Sequence, residues 1–308
     1  MRNIVWRSFP GRQQIINKSG DYFLMNEAGF SRQQAFSWAR GRYDEAGIQP
    51  AREIMALYCS ACEAEEFLFA PQELSAKQTE VFRDLVNRRC NHEPLQHLLQ
   101  EMYFGTFRLI SNPDVFIVRP ETEYLVELAL RNKEARKAEL AADLCAGSGA
   151  IALTLARELP LAQVFMVEIS EKALAVARRN LERYPDLAKR ISAKCADVAD
   201  PGLWAERAGE FNLIVSNPPY VPPGTITQPE ALKDPPLALW GGGDDGLKIP
   251  KETVTQAFRL LEKDGIFAME HDPTQGELLC QFAVEIGFSS VRTQQDLSGR
   301  PRYLLAQK

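Results

Sequence analysis

The sequence predicts an α/β chain in two parts: a small helical bundle, then a doubly wound, mostly parallel sheet. Three observations predict it. Up to about residue 95, apolar residues recur at three-to-four spacing with little strand character. From Met102 to Val118 the period becomes strand-like, and beyond that short apolar strands alternate with helices. A length of 308 residues accommodates two domains, and 45% hydrophobic with 25% charged residues is ordinary for a globular protein. The net charge of -5 argues against a protein whose main work is wrapping phosphates, which needs clustered Lys and Arg. With no apolar run near the roughly 20 residues that span a bilayer, and no apolar core at Met1–Arg7, the protein is expected in the cytoplasm.

The helical part divides into Ser31–Ala46, Pro50–Cys62 and Ser75–Cys90. Ser75, with Gln78 three residues on, opens the third as a capping box, and Val81, Phe82 and Leu85 give its buried stripe. The first thirty residues show no sustained period and are expected to be a loose extension. Six cysteines are scattered through a chain too large to need a disulfide framework, so reduced thiols are expected. Cys59 and Cys62 have the spacing of a redox or zinc half-site but lack a second pair; two half-buried helical thiols are expected, and no metal is assigned. Tyr103–Ile110 and Val115–Val118, separated by the turn cluster Ser111–Asp114, are expected to form a hairpin. The expected domains are thus helical over 1–95, hairpin linker over 96–118 and α/β over 119–308. In the last, strands are expected at Leu140–Leu144, Val164–Val167, Phe211–Val215 and Ile266–Met269. Helices are expected from Ala150, from Ser170 and over Glu252–Leu261. A helix Thr274–Ile286 and strands near Ser290–Thr293 and Tyr303–Ala306 follow, the last two antiparallel across a short turn.

Asp143-Leu144-Cys145-Ala146-Gly147-Ser148-Gly149-Ala150 leaves a strand and opens a helix, where small residues let backbone approach a ligand. Glu168 directly follows the next strand, about 20 residues past the glycine turn, where a carboxylate can accept both ribose hydroxyls. Asp197 follows the third strand, placed to accept from an adenine amino group, with Val198 covering the ring. Together these point to an adenosine-containing cofactor, and they fit dinucleotide binders and methyltransferases equally.

Asn217-Pro218-Pro219-Tyr220, after the fourth strand, breaks the tie. A carboxamide or nucleobase nitrogen has a delocalised lone pair and is a poor nucleophile. The Asn217 side-chain oxygen and the Pro218 carbonyl can accept both hydrogens of an NH2 group and turn its lone pair toward an activated methyl, making these two the candidate catalytic groups. Proline fixes the backbone, and Tyr220 offers a wall for a planar group. The expected donor is S-adenosylmethionine. The acceptor is an amide or an exocyclic amino nitrogen, so an adenine-N6 nucleic-acid methyltransferase stays as an alternative, as does a non-enzymatic paralogue.

With these motifs the chain resembles the HemK/PrmC family of peptide chain release factor glutamine methyltransferases from about residue 38 onward. The likeness also rests on Glu93–His97, Arg119-Pro120-Glu121-Thr122-Glu123, Pro236–Gly242, Gly246-Leu247 and Asp296-Leu297-Ser298-Gly299-Arg300. Arg119–Glu123 discriminates it from the sister family that methylates a ribosomal protein glutamine. The resemblance implies a Rossmann-like class I methyltransferase domain, a mostly parallel seven-stranded sheet with an antiparallel last strand, behind a substrate-recognising helical domain. It implies N5 methylation of the glutamine in a Gly-Gly-Gln motif, a release factor as protein partner, and a monomer. Asp143, Leu144, Cys145, Ala146, Gly147, Glu168, Val198 and Asn217 would then contact the cofactor, while Asn217, Pro218, Pro219 and Tyr220 hold the glutamine and Phe104 faces the methyl group. Cys145 stands where the family more often has its first glycine, so a backbone conformation open to side chains is expected there. Glu168 replaces the commoner Asp, and Asn212 stands where an acid is frequent.

Overall fold

The computed structural model describes residues 29–49 and 52–308, with the backbone of two short antiparallel strands, β1 (Gln14–Ile16) and β2 (Tyr22–Leu24). The remainder of the expected N-terminal extension lies outside the described residues. The chain folds as two compact units, Met1–Leu99 and Gln100–Lys308. Among the described residues no helix is long and apolar enough to cross a membrane.

The first unit holds α1 (Arg32–Ala46), α2 (Glu53–Cys62), α3 (Ala76–Cys90) and α4 (Leu95–Leu99). Ser31 and Ser75 each close a capping box, with Gln34 and Gln78 answering the cap backbone, which satisfies otherwise orphaned N–H groups. Ala35, Ala39, Tyr43, Leu57, Tyr58 and Phe82 form a buried core, in which Tyr58 and Phe82 meet edge to face at 5.8 Å. Val81, expected in the stripe, is instead 41% exposed. The inward face of α3 runs Thr79, Phe82, Leu85, Val86 and Arg89, and one step of 100° carries Val81 off it. Cys59 and Cys62 sit half-buried on α2 as free thiols.

The second unit opens with a hairpin of β3 (Glu101–Phe104) and β4 (Phe107–Ile110). Its turn is Gly105-Thr106, not the expected Ser111–Asp114, because Gly105 supplies the positive φ, +54°, that a two-residue hairpin requires. Asn112 instead makes an Asx turn, its Oδ1 accepting from the Asp114 N–H at 3.0 Å, and Val115–Val118, expected as a strand, lies in no sheet. The next element, α5 (Pro120–Leu130), was not among the expected helices. Its signals are present in Pro120 at the first helical position and Glu121 and Glu123 in the first turn.

The α/β part then runs β5 (Leu140–Leu144), α6 (Ala150–Glu158), β6 (Gln163–Glu168), α7 (Glu171–Glu182), α8 (Pro185–Ala188), β7 (Ile191–Cys195) and β8 (Phe211–Ser216). It closes with α9 (Pro236–Leu239), α10 (Lys248–Leu260), β9 (Leu261–Glu270), α11 (Gly276–Ile286), β10 (Ser289–Gln295) and β11 (Pro301–Gln307). The seven strands lie in the order β10-β11-β9-β8-β5-β6-β7, with β11 antiparallel to both neighbours and the other pairs parallel. Both faces are buried, as period two demands. Ala141, Leu213, Val215, Ala268 and Leu305 enter one apolar cluster, and Ala142, Ile214, Phe267, Met269 and Leu304 enter the other. After β7 the chain returns to pair β8 with β5, so β5 and β8 flank the topological switch point, where ligands bind at the carboxyl ends of such strands.

Candidate active site

The loop leaving β5 is shaped by three left-handed residues: Cys145 at φ +63°, Gly147 at +53° and Gly149 at +80°. The backbone conformation open to side chains expected at Cys145 is not what is found, since its φ lies in the left-handed region that favours glycine. The loop must turn tightly enough for the Ala146 N–H to reach the Val167 carbonyl at 2.9 Å and the Gly149 N–H the Ala146 carbonyl at 2.9 Å, and Cys145 takes the glycine conformation. At Gly147 a Cβ would meet no atom within 4 Å, because that direction is open cavity that only glycine leaves clear for a ligand. Gly149 has no side chain with which to cap α6. The Asp143 carboxylate does so from the strand, accepting the Ala152 N–H at 3.0 Å.

Glu168, at the end of β6, accepts the Gly147 N–H at 2.8 Å on one oxygen and the Ser170 N–H at 2.9 Å on the other. Burial pushes its carboxyl up, against the opposing pull of those N–H groups. Each oxygen keeps a lone pair for a further donor. Asp197 is exposed beyond β7, one oxygen taken by the Ala199 N–H at 2.9 Å, and Val198 beside it is buried.

A cavity of roughly 680 Å³ joins these loops. The structure brings Cys145, Ala146, Gly147, Glu168, Asp197, Val198, Asn217, Pro218, Pro219 and Tyr220 to its walls. Asp143, Leu144 and Gly149 lie beneath it, the first capping α6 and the second fully buried. Phe104 is nowhere on the wall. It is 1% exposed, in the apolar cluster with Phe107 and Leu109, because the early turn at Gly105 directs this face of the hairpin inward. Phe116 and Val118, which the strand assignment hid, line the cavity instead.

The loop after β8 is held from several directions. The Asn217 Nδ2 donates to Thr122 Oγ1 at 3.0 Å, and the Tyr220 hydroxyl donates to Glu270 Oε1 at 2.7 Å. The Val221 N–H donates to the Leu239 carbonyl at 2.9 Å and the Gly241 N–H to Val221 at 3.2 Å. Gln275 Nε2 donates to the Tyr220 carbonyl at 2.8 Å. A Cβ at Gly241 would lie 1.9 Å from the Gly246 carbonyl, and one at Gly246 would lie 2.5 Å from the Tyr220 carbonyl, so both glycines are needed for this close stacking. The opposite wall is fastened by Asp234, fully buried, which accepts the Ile117 N–H at 3.1 Å and pairs with Arg119 at 2.6 Å. Burial pushes the Asp234 carboxyl up, and Arg119 opposes it. Thr122, Asp234 and Glu270 escaped the residue-by-residue reading; only Thr122 had a signal, its place within Arg119–Glu123. Asn212 is explained: its Oδ1 accepts from the Glu139 and Leu140 N–H groups at 2.7 and 2.8 Å, clipping the start of β5.

Comparison with known proteins agrees with this architecture. Residues 106–234 match the methyltransferase small domain and residues 34–99 the PrmC N-terminal domain. The release factor glutamine methyltransferase of Bifidobacterium longum is 39% identical over 87% of this chain and 96% of its own length. This chain belongs to the release factor glutamine methyltransferase family. Members from Mycolicibacterium smegmatis and Mycobacterium tuberculosis are 37% and 36% identical, over 85% and 89% of this chain and 92% and 91% of theirs. Among solved structures, a T. thermophilus 16S rRNA methyltransferase aligns at a TM-score of 0.46 and 24% identity, over 68% of this chain and 49% of that one. As a family member the chain is a methyltransferase that uses S-adenosylmethionine.

Proposed function

We propose that this chain methylates N5 of the glutamine in the Gly-Gly-Gln motif of bacterial-type peptide chain release factors. The names of its relatives support the substrate. The observation that carries the chemistry is Asn217, whose Nδ2 is engaged by Thr122 and whose oxygen is thereby free for a donor in the cavity. The β5 and β6 ends fit the methyl donor: open space over Gly147, and two Glu168 oxygens with lone pairs to spare for ribose hydroxyls. Asp197 and Val198 suit an adenine ring, one by its free carboxylate oxygen and the other by its apolar surface. When bound, S-adenosylmethionine supplies an electrophilic methyl on a sulfonium centre.

The remaining work falls to the loop after β8. The Asn217 oxygen and the Pro218 carbonyl accept the two hydrogens of the glutamine NH2, which turns its lone pair outward and restricts it to one approach. Pro219 and Tyr220 wall the planar amide. A strong general base is unnecessary, because the nitrogen-bound proton becomes acidic only once the new C–N bond forms and then leaves to water or a carbonyl. In this reading the helical unit docks the factor, and the protein works as a cytoplasmic monomer without stable nucleic-acid or membrane partners.

The test is incubation with radiolabelled S-adenosylmethionine and either a release factor or duplex DNA. Label should enter the release factor, and label on DNA alone would sink the proposal in favour of adenine-N6 chemistry. Asn217→Ala should keep cofactor binding by calorimetry yet lose ~10²-fold in rate, the scale of deleting one positioned polar group.

A further inference from the structure

We propose that Thr122 and Glu270 are positioning residues that decide which end of the Asn217 carboxamide faces the substrate. The inference rests on the role given to Asn217 above. An asparagine side chain has two ends of nearly equal size, and only its oxygen can accept a substrate N–H. Something must therefore hold the amide the right way round.

The chain of donors does so. Glu270 ends β9 and is 1% exposed. Its Oε2 receives the Thr122 hydroxyl at 2.9 Å, and its Oε1 receives the Tyr220 hydroxyl at 2.7 Å and Arg302 Nη1 at 3.3 Å. An ionised carboxylate only accepts, so the single Thr122 proton is committed to it. Thr122 Oγ1 then meets Asn217 with lone pairs alone, and Nδ2 donates to it at 3.0 Å. The reversed amide would set oxygen against oxygen. Burial pushes the Glu270 carboxyl up, while the hydroxyls of Tyr220 and Thr122 and the charge of Arg302 oppose this and Glu121 adds to it. Arg302 is itself held by Asp296, Nε to Oδ2 at 3.2 Å. Polarity thus passes from a buried charge at the end of β9 through one hydroxyl on α5 to the substrate loop after β8.

The experiment uses the full chain, a release factor and radiolabelled S-adenosylmethionine. Glu270→Gln, whose amide can donate to Thr122 and release the asparagine to turn, should lower kcat about tenfold or more, and so should Thr122→Val. In both, KM for the factor and the calorimetric Kd for the cofactor should stay within about twofold, because only the oriented contact is lost. Thr122→Ser keeps the hydroxyl and should retain near-normal kcat. On an Asn217→Ala background, Thr122→Val should cost nothing further, since its effect runs through Asn217. A normal kcat in Glu270→Gln or Thr122→Val, or an undiminished extra loss on the Asn217→Ala background, would overturn the proposal. Should Thr122→Val fail to bind cofactor, Glu270→Gln decides, with Thr122→Ser as its control. A normal rate in Asn217→Ala alone would instead defeat the role of Asn217 itself, so the two failures are distinguishable.

Discussion

Cys145 carries backbone strain that a glycine would avoid. Its φ of +63° costs a residue with a Cβ about 1–2 kcal/mol. Against this stand the apolar contacts of its half-buried thiol and the smaller unfolded-state freedom of cysteine, each worth about 0.5–1 kcal/mol. The terms nearly cancel, which is how a cysteine persists where a glycine is commoner. Burial, with Glu168 and Asp143 nearby, pushes the thiol up, so it stays protonated and inert at neutral pH. Cys145→Gly should change stability by less than about 1 kcal/mol, whereas Cys145→Val, β-branched in a left-handed conformation, should lose about 2 kcal/mol or more. Thermal unfolding of both variants checks this, and equal losses would contradict it.

Among the elements, the closing hairpin shows how far a motif can be read without its reason. Ser298-Gly299-Arg300 was legible as a turn between two strands, and Asp296–Arg300 as a segment shared with the family. Its internal bonding was not: the Asp296 carboxylate accepts the Ser298 N–H and hydroxyl at 2.9 and 2.6 Å and the Arg300 N–H at 2.9 Å. Burial raises this carboxyl, but those bonds and the one from Arg302 outweigh it and hold the group below its ordinary 3.8. A depressed acid stabilises the fold above the ordinary carboxylate range and loses that contribution as pH falls through the depressed value. Asp296→Asn should therefore lower Tm at pH 7, and the gap from the parent should narrow below about pH 3.8. Melts across pH test this, and a gap that widens on acidification would refute it. Elsewhere, strands buried on both faces and helices with Ser-x-x-Gln starts could be read directly, since pattern and structure share one period. The register of β3 and β4 could not, because Ser111–Asp114 has the richer turn composition while the chain in fact reverses at Gly105-Thr106, where Gly105 takes a positive φ. Thr122 and Glu270 are 148 residues apart, and no local pattern announces a polar pair of that separation.

At the scale of the whole molecule, the units have separate cores. Tyr43, Tyr58 and Phe82 anchor one, while the sheet of the other divides its apolar side chains between two clusters of its own. Residues 100–308 should therefore fold alone with a cooperative melt and bind S-adenosylmethionine, while losing most turnover on a release factor under the proposed docking role of the helical unit. Circular dichroism and calorimetry on that fragment decide it, and an unfolded fragment would show that the cores depend on each other. The sheet carries one further consequence. The glycine loop leaves β5 and the substrate loop leaves β8, adjacent strands in fixed register, Leu144 opposite Ser216, with the Ser216 hydroxyl bonded to the Leu144 carbonyl. The strand ends that carry the two loops are thus held at the spacing of the sheet, about 4.8 Å from strand to strand. Changes in the surrounding loops can alter which molecules the cavity admits, but the separation of the two strand ends that bear those loops belongs to the backbone.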